Sequence, residues 1–368
     1  MHYKTQRGAS VDLRALEGEM SSSLRTAKIL VTGASGFLGA NVCRRLLGVA
    51  AEVYGVIRST ARSLDGDIHW LEGDLRNLET ARKLLQISRA DIVFHLAGLA
   101  NARVYPGMVL PTLQDNLIAT VNLLQAAESV NISRIVLTGS LEEPAEKLVS
   151  TVPVSPYAAS KWASSMYARM FHHLYGTPVV IVRPFMTYGP RQRRDKVIPY
   201  TILSLLSDQS PRIRNGHRLV DWIYVDDVVE GIVMAAQKED IEGCTVDLGS
   251  GVCVTTREIV ERLTSIVCSR TSPVFDDSPE NAMQDAKAAD TASAYETLGW
   301  KFWPLHVFIC ESCLLVQLQA CVSRERLFSE YAYFSSYSDT LLLHAQAYVD
   351  AMMARLRLGP HNQVVEVE

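Results

Sequence analysis

The sequence lacks the marks of a nucleic-acid binder, a secreted protein or a disulfide scaffold. Lys and Arg total 36 against 40 Asp and Glu, a net charge of −4, so no basic face for nucleic acid or anionic membrane is expected. The opening MHYKTQRGASVDLRALEGEM has no apolar core, which excludes a secretory signal there. The seven cysteines, an odd number scattered over 368 residues, point to free thiols in a reducing compartment, hence the cytoplasm. No internal repeat or low-complexity tract is present. One long apolar run exists, Phe302–Val322, but His306, Glu311, Gln317 and Gln319 interrupt it, and it reads as a buried or disrupted segment more than a membrane span. Within it, Cys310-x-x-Cys313 has no second pair at zinc-site spacing, so no metal is assigned.

What is present is ample core material, 48% hydrophobic residues, arranged in a regular alternation. Short Val- and Ile-rich runs lie at Ile29–Thr32, Val53–Ile57, Ile68–Leu71, Ile92–Leu96, Arg134–Thr138 and Val179–Val182. They are almost continuously apolar, as strands covered on both faces must be. Between them, Asn41–Leu47, Leu78–Ile87, Asn116–Ser129 and Tyr157–Tyr175 carry apolar residues at helical spacing. This alternation predicts right-handed βαβ crossovers: an α/β fold with a doubly wound parallel sheet, the Rossmann fold. After Pro184 the rhythm changes to helix Ile198–Leu206, a turn at Asn215-Gly216, strand Asp221–Val225, helix Val228–Gln237 and strand Thr245–Leu248. The expected organisation is a polar extension over 1–26, a dinucleotide domain over 27–184 completed by parts of 220–250, a smaller interleaved lobe over 185–301, and an atypical segment over 302–368.

Gly33-Ala-Ser-Gly36-Phe-Leu-Gly39 follows the first strand and opens a helix. With 21 glycines, this spacing arises by chance about 0.07 times per chain. Gly33 serves a tight turn, Gly36 the close approach of a pyrophosphate, and Gly39 the packing of helix on strand. The second strand leads to Arg58, Ser59 and Arg62 with no acid before Asp65. Two arginines there can grip a ribose 2′-phosphate, which favours NADP over NAD, or can simply line a solvated loop. Asp74 is placed to accept from an adenine amino group or to cap the next helix, a job for which Asn77 competes. Leu96-Ala97-Gly98 ends the fourth strand with small residues that leave room for a cofactor, while His95 before it reads as a packed core histidine.

Tyr157-Ala-Ala-Ser-Lys161 puts a phenol and an ammonium one turn apart on one helix face. A tyrosine is a poor base at neutral pH unless a nearby cation favours the phenolate. Ser140, at the end of the fifth strand, can hydrogen-bond a reacting hydroxyl.

With GASGFLG, Gly73-Asp-Leu, HLAG, NLIATVNLLQAA, Ser140, PVSPYAASK, Arg183-Pro-Phe-Met-Thr-Tyr-Gly-Pro190, DKVIPYTILSLL, DWIYVDDVVEGI and Leu298-Gly-Trp, residues 27 to about 301 resemble the extended short-chain dehydrogenase/reductase family of nucleotide-sugar epimerases and dehydratases. The resemblance implies cofactor contacts at Ser35, Phe37, Leu38, Leu75, Asn116 and Pro184, beside those above. It implies a nucleoside-diphosphate sugar as substrate and a homodimer through the helix that bears Tyr157. It also implies a mechanism: Tyr157 removes the C4 hydroxyl proton, Lys161 lowers its pKa and holds the nicotinamide ribose, and Ser140 orients the sugar. The resulting 4-keto sugar can lose water, epimerise or be reduced again.

Glu142 matches the position of the family's dehydratase base for C5, and it can equally be one member of an acidic turn. Leu141, where a proton donor is common, departs from that pattern, as does the missing Tyr-Gly after it. For the diphosphate, Arg191 and Lys196 in the basic run after Pro190, and Arg218 ahead of the Asp221 strand, are the candidates; the run reads equally as a solvated loop. Two other functions fit the residues less well: an NADPH-dependent 4-ketoreductase, which has no use for Glu142, and a non-catalytic NADP-binding regulator.

Overall fold

The computed structural model describes residues 24–47, 49, 52–58, 67–144, 152–267, 270–276 and 287–302, with two short strands beyond at 307–309 and 316–318. Residues 1–23 of the N-terminal extension, Ser59, Arg62 and the Cys310/Cys313 pair lie outside the described residues. The chain divides into two units, residues 1–302 and 303–368. The described part of the second is an antiparallel pair, Val307–Ile309 with Val316–Leu318.

The first unit begins with β1 (Lys28–Thr32), α1 (Phe37–Leu47), β2 (Glu52–Ile57), β3 (Ile68–Glu72), α2 (Leu78–Ser88) and β4 (Ile92–His95). A composite helix follows: a 3-10 turn at Pro106–Met108, α3 (Val109–Thr112), a π-helical stretch Leu113–Ile118, and α4 (Ala119–Ala127). Next come β5 (Arg134–Thr138), α5 (Pro156–Tyr175), β6 (Val179–Pro184), β7 (Met186–Tyr188), α6 (Val197–Leu206), β8 (Arg212–Arg214), β9 (Leu219–Tyr224) and α7 (Val225–Gln237). The unit closes with β10 (Thr245–Leu248), β11 (Cys253–Thr255), α8 (Thr256–Val267), β12 (Val274–Asp276) and α9 (Thr291–Leu298).

Seven strands form one sheet in the order β10-β6-β5-β4-β1-β2-β3, every pair parallel. The strand order reverses between β1 and β4, and in such sheets ligands bind outside the carboxyl ends at that reversal. The apolar alternation explains the layers. Ile29 and Val31 point into a core shared with Val228, Ile232 and Leu248, while Leu30 points into the opposite core with Leu85, Leu123 and Ile181. The central strands are therefore buried on both faces, which is why their sequences run nearly without polar breaks, while edge strand β3 leaves His69 and Glu72 exposed.

One helix differs from the sequence expectation. The helix expected from Asn116 starts ten residues earlier, because Pro106 occupies a first helical position where its missing N–H costs nothing. Of the stretch 220–250 expected in part to complete the dinucleotide domain, Thr245–Leu248 takes the edge beside β6 as β10, while the strand at 219–224 joins a second, three-stranded sheet, β11-β9-β7. Among the described residues no helix is long and apolar enough to cross a membrane.

Asp221, in the middle of β9, is 1% exposed. Its carboxylate accepts hydrogen bonds from Ser250 N (2.7 Å), Gly251 N (2.9 Å), Ala289 N (2.9 Å) and the Ser250 hydroxyl (2.5 Å). One buried acid thus ties the loop after β10 to the segment leading into α9. Truncation strands these donors without water, so Asp221→Ala is expected to cost about 3–5 kcal/mol in urea unfolding; a loss under about 1 kcal/mol would contradict this account.

Candidate active site

The glycine turn sits at the carboxyl end of β1. Gly33 has φ +66°, and a Cβ there would lie 2.8 Å from the Ala97 backbone. A Cβ on Gly39 would lie 2.1 Å from the Gly33 carbonyl oxygen, so α1 presses against the turn more closely than any other residue permits. Gly36 donates to Gly33 O at 2.9 Å. A side chain at Gly36 would meet Gly33 O at 3.1 Å and nothing else nearby, so this glycine keeps the approach to the helix N-terminus open. Ser35 and Gly36 line one cleft with Arg58, Asp74, Leu75 and the Leu96-Ala97-Gly98 strand end. Phe37 and Leu38 open α1 and pack partly on the core, and Pro184 closes β6.

The far end of this cleft carries paired charges. Arg58 binds Asp115 at 3.0 Å, and Arg76 donates to Asp74 at 2.9 Å and approaches Asp115 at 3.7 Å. The Arg76 hydrogen bonds hold the Asp74 carboxyl below the usual carboxylate range. Asn77 caps α2, accepting from Thr80 N at 3.0 Å, so Asp74 is released from that task. Arg76 and Asp115 were not anticipated. Asn116 is buried, and its carboxamide accepts from Leu99 N at 2.7 Å and donates to the Ser160 hydroxyl at 2.8 Å. It braces the strand-end loop against α5, with its polar atoms engaged inside the protein.

Helix α5 is well started: the Ser155 hydroxyl accepts from Ala158 N at 3.0 Å, Pro156 occupies the first turn, and Gly176 at φ +72° ends it. This places Tyr157 and Lys161 beside the end of β5. Lys161 is buried and its ammonium donates to Thr138 O. The Tyr157 hydroxyl hydrogen-bonds with Ser140. Burial pushes the Tyr157 phenol up to about 12, the Ser140 hydrogen bond opposing, and Glu142 and Glu143 raise it further. Burial pulls Lys161 down to about 8 against the opposing charge of Glu143. His95 lies between Thr32 (2.8 Å) and Thr120 (3.0 Å), and burial, with the Lys161 charge, pulls it down to about 3, so it is a neutral core histidine.

After β5 the chain makes a closed turn. Glu143 N donates to Ser140 O (3.1 Å), Glu142 N to the Ser140 hydroxyl (3.2 Å), and Ser140 N to Glu143 Oε1 (2.7 Å). Two later segments of the same unit, the approach to β9 and the approach to α9, hold this turn. Arg218 donates to Glu142 at 3.3 Å, and the Lys287 ammonium donates to Glu143 O at 2.6 Å and Leu141 O at 3.2 Å. The structure therefore brings Ser140, Tyr157, Lys161, Glu142 and Arg218 together. It leaves Arg191 and Lys196 exposed on the loop before α6. Glu143 and Lys287 were missed: beside Glu142 and Pro144, Glu143 reads as part of one acidic turn, and only its burial sets it apart.

A model of the NAD dependent epimerase/dehydratase family matches residues 29–249, more than half of the chain. The chain belongs to that family. Its members here include the uncharacterized UDP-glucose epimerase YtcB of Bacillus subtilis, 29% identical over 73% of this chain and 92% of its own. The dTDP-glucose 4,6-dehydratase of Xanthomonas campestris pv. campestris (strain B100) is 28% identical over 76% of this chain and 89% of its own. Among solved structures, the UDP-glucuronic acid 4-epimerase of Bacillus cereus, in complex with UDP-glucuronic acid and NAD, is 26% identical with a TM-score of 0.67, covering 74% of this chain and 93% of that one. This epimerase/dehydratase chain thus shares the extended short-chain dehydrogenase/reductase fold and its nucleotide-sugar lineage.

The buried pair makes stability depend on pH in a defined way. Lys161 is depressed, so between about 8 and its ordinary 10.5 the unfolded chain binds more protons and stability rises with pH. Tyr157 is raised, so between 10 and about 12 the folded chain binds more protons and stability falls again. Against Lys161→Met, the native protein should gain about 1–3 kcal/mol from pH 8 to 10 in chemical denaturation. A constant difference between the two would contradict the buried ammonium.

Proposed function

We propose that this protein is an NAD(P)-dependent nucleotide-sugar epimerase or dehydratase that works at sugar C4 through a 4-keto intermediate. The observation that carries the reading is the convergence of Ser140, Tyr157 and Lys161 at the carboxyl end of β5, beside the glycine-turn cleft.

The cofactor would lie with its pyrophosphate over Gly33–Gly39, where Ser35, Gly36, Phe37 and Leu38 open α1. Asp74 and Leu75 would face the adenine, and Leu96-Ala97-Gly98 and Pro184 would border the nicotinamide half. Asn116 supports this half by holding Leu99. When bound, NAD(P) takes a hydride from C4 and can return it. Arg58 and Arg76 on the cleft wall support NADP, since both can turn from Asp115 and Asp74 to a 2′-phosphate.

Tyr157 accepts the C4 hydroxyl proton as the ketone forms, and Ser140 holds the same oxygen by its hydroxyl. The resemblance gives Lys161 the role of favouring the phenolate and holding the nicotinamide ribose; in this structure burial, Glu142 and Glu143 work against the phenolate and push the phenol up to about 12. Glu142 is the acid nearest the sugar's C5 side in this reading, with Arg218 as its counter-charge. Leu141 cannot donate a proton to a departing C6 hydroxyl, which weights the reading towards epimerisation. Arg191, Lys196 and Arg218 are the cations available to the diphosphate. A 4-ketoreductase is the second reading, favoured by the phenol's retained proton and by Arg58.

The groove formed by α3, the π-helical stretch and α5, with Val109, Leu113, Val154 and Ala163 on its wall, supports a homodimer through the Tyr157 helix. The described cysteines Cys43, Cys244 and Cys253 are free thiols, in keeping with a cytoplasmic enzyme.

Mass spectrometry of UDP-, dTDP-, GDP- and CDP-hexoses after incubation tests the reaction. An epimer of unchanged mass or loss of one water is expected without added NADPH. A gain of two hydrogens only with NADPH and a 4-keto sugar would instead establish the reductase. Tyr157→Phe should lose about 10²–10⁴-fold in turnover while binding cofactor normally; full activity would refute the reading. Arg58→Ala should weaken NADP binding about tenfold and NAD binding less than twofold by fluorescence titration; equal effects would place NADP specificity elsewhere.

A further inference from the structure

Glu143 is a buried carboxyl group that the mechanism above does not use; burial pushes it above the usual carboxylate range, and Lys161, Ser165, the Ser140 amide and Arg183 oppose that push. It is 5% exposed, in a turn whose neighbours Leu141 and Glu142 are more open. A carboxylate in such a place costs several kcal/mol unless it is hydrogen-bonded and balanced. Here one oxygen accepts the Ser140 amide at 2.7 Å, while the buried Lys161 ammonium donates to Thr138 O two residues earlier, so the two groups bind the same three-residue stretch at the end of β5, with Arg183 beside Gly139. Its socket is built for it. A Cβ on Gly139 would lie 2.5 Å from Glu143 Oε1 and 2.9 Å from the Arg183 side chain, so the strand must end in glycine for the carboxylate to lodge behind Ser140.

We propose that Glu143 is a positioning residue of this active site: its carboxylate fixes the Ser140 turn by the amide hydrogen bond and balances the Lys161 ammonium beside Tyr157. The proposal rests on the Tyr157–Lys161 reading for its kinetic arm and on packing alone for its stability arm.

The two effects separate by chemistry. The amide hydrogen bond needs an acceptor oxygen at the right reach, which glutamine retains. The charge balance needs the negative charge, which aspartate retains at shorter reach. Other charged groups face this centre: Glu142 from the turn, Lys287 on the Glu143 carbonyl, Arg183 held by Asp247 at 2.6 Å, Arg218 on Glu142, and neutral His95 from β4. None of these residues is altered in either variant. Glu143 pushes the Tyr157 phenol and the Lys161 ammonium upward together, so its charge keeps protons on the pair.

The test uses the full chain and whichever nucleotide sugar the panel above shows to react. In Glu143→Gln, the low-pH limb of kcat should move down by about one pH unit, with the plateau within about threefold of the native value. In Glu143→Asp, the limb should stay in place while kcat falls about tenfold, because the amide acceptor is withdrawn. Unshifted limbs in both variants would overturn the charge role, and a native kcat in Glu143→Asp would overturn the positioning role.

A thermal-melt cycle decides the charge balance without substrate or foldable Glu143→Gln. Lys161→Met should lower the melting temperature by leaving Glu143 unbalanced, and the double variant Lys161→Met/Glu143→Gln should recover at least half of that loss. A double variant that melts no higher than Lys161→Met would overturn the proposal. If no sugar in the panel reacts, the functional reading fails, and this cycle still decides the role of Glu143.

Discussion

The hydrogen bond from the Ser140 amide to Glu143, 2.7 Å long and closed off from water, sets the frame of the chemical end of the cleft. It fixes the backbone from which the Ser140 hydroxyl reaches Tyr157, and it puts a negative charge behind a phenol and an ammonium that burial already pulls towards neutrality. Segments ahead of β9 and α9 meet the nucleotide-cleft half of the unit at the same turn. Arg218 pairs with Glu142, and Lys287 grips two of the turn's carbonyls. Movement of either segment would therefore be felt at Ser140 through these three links.

The other end of the cleft follows a different physics. There the requirement is empty space and exposed amides, met by glycines whose side chains would collide with the turn or block its approach. Charge enters only at the rim, where Arg58 and Arg76 share Asp115, and Asp74 holds Arg76. These pairs keep the arginines satisfied without a ligand and leave them at a surface where exchange for a phosphate is cheap.

The parallel sheet was legible because burial on both faces forces continuous apolar runs, and the strand Thr245–Leu248 could be read to the residue. The glycine turn and the Tyr157–Lys161 spacing were legible because their chemistry tolerates few substitutes. What escaped the sequence depended on long-range packing. The placement of β9 turns on which strand claims an edge, and the early start of the α3–α4 helix on one proline's position. Glu142 and Glu143 are adjacent and identical in type. Burial behind Gly139 makes one a structural charge, and contact with Arg218 makes the other a site-facing one, and neither fact is written locally. Lys287 joins the turn across 144 residues, beyond any pattern in the chain.

The central claim is that hydride leaves sugar C4 at the Ser140–Tyr157–Lys161 site. The most direct measurement is the mass of the nicotinamide recovered when the holoenzyme, mixed with C4-deuterated UDP- and dTDP-glucose, is quenched within the first turnover. Deuterium on the nicotinamide in the native protein, absent in Tyr157→Phe, is the predicted result. Product formation with an unlabelled nicotinamide would contradict the account.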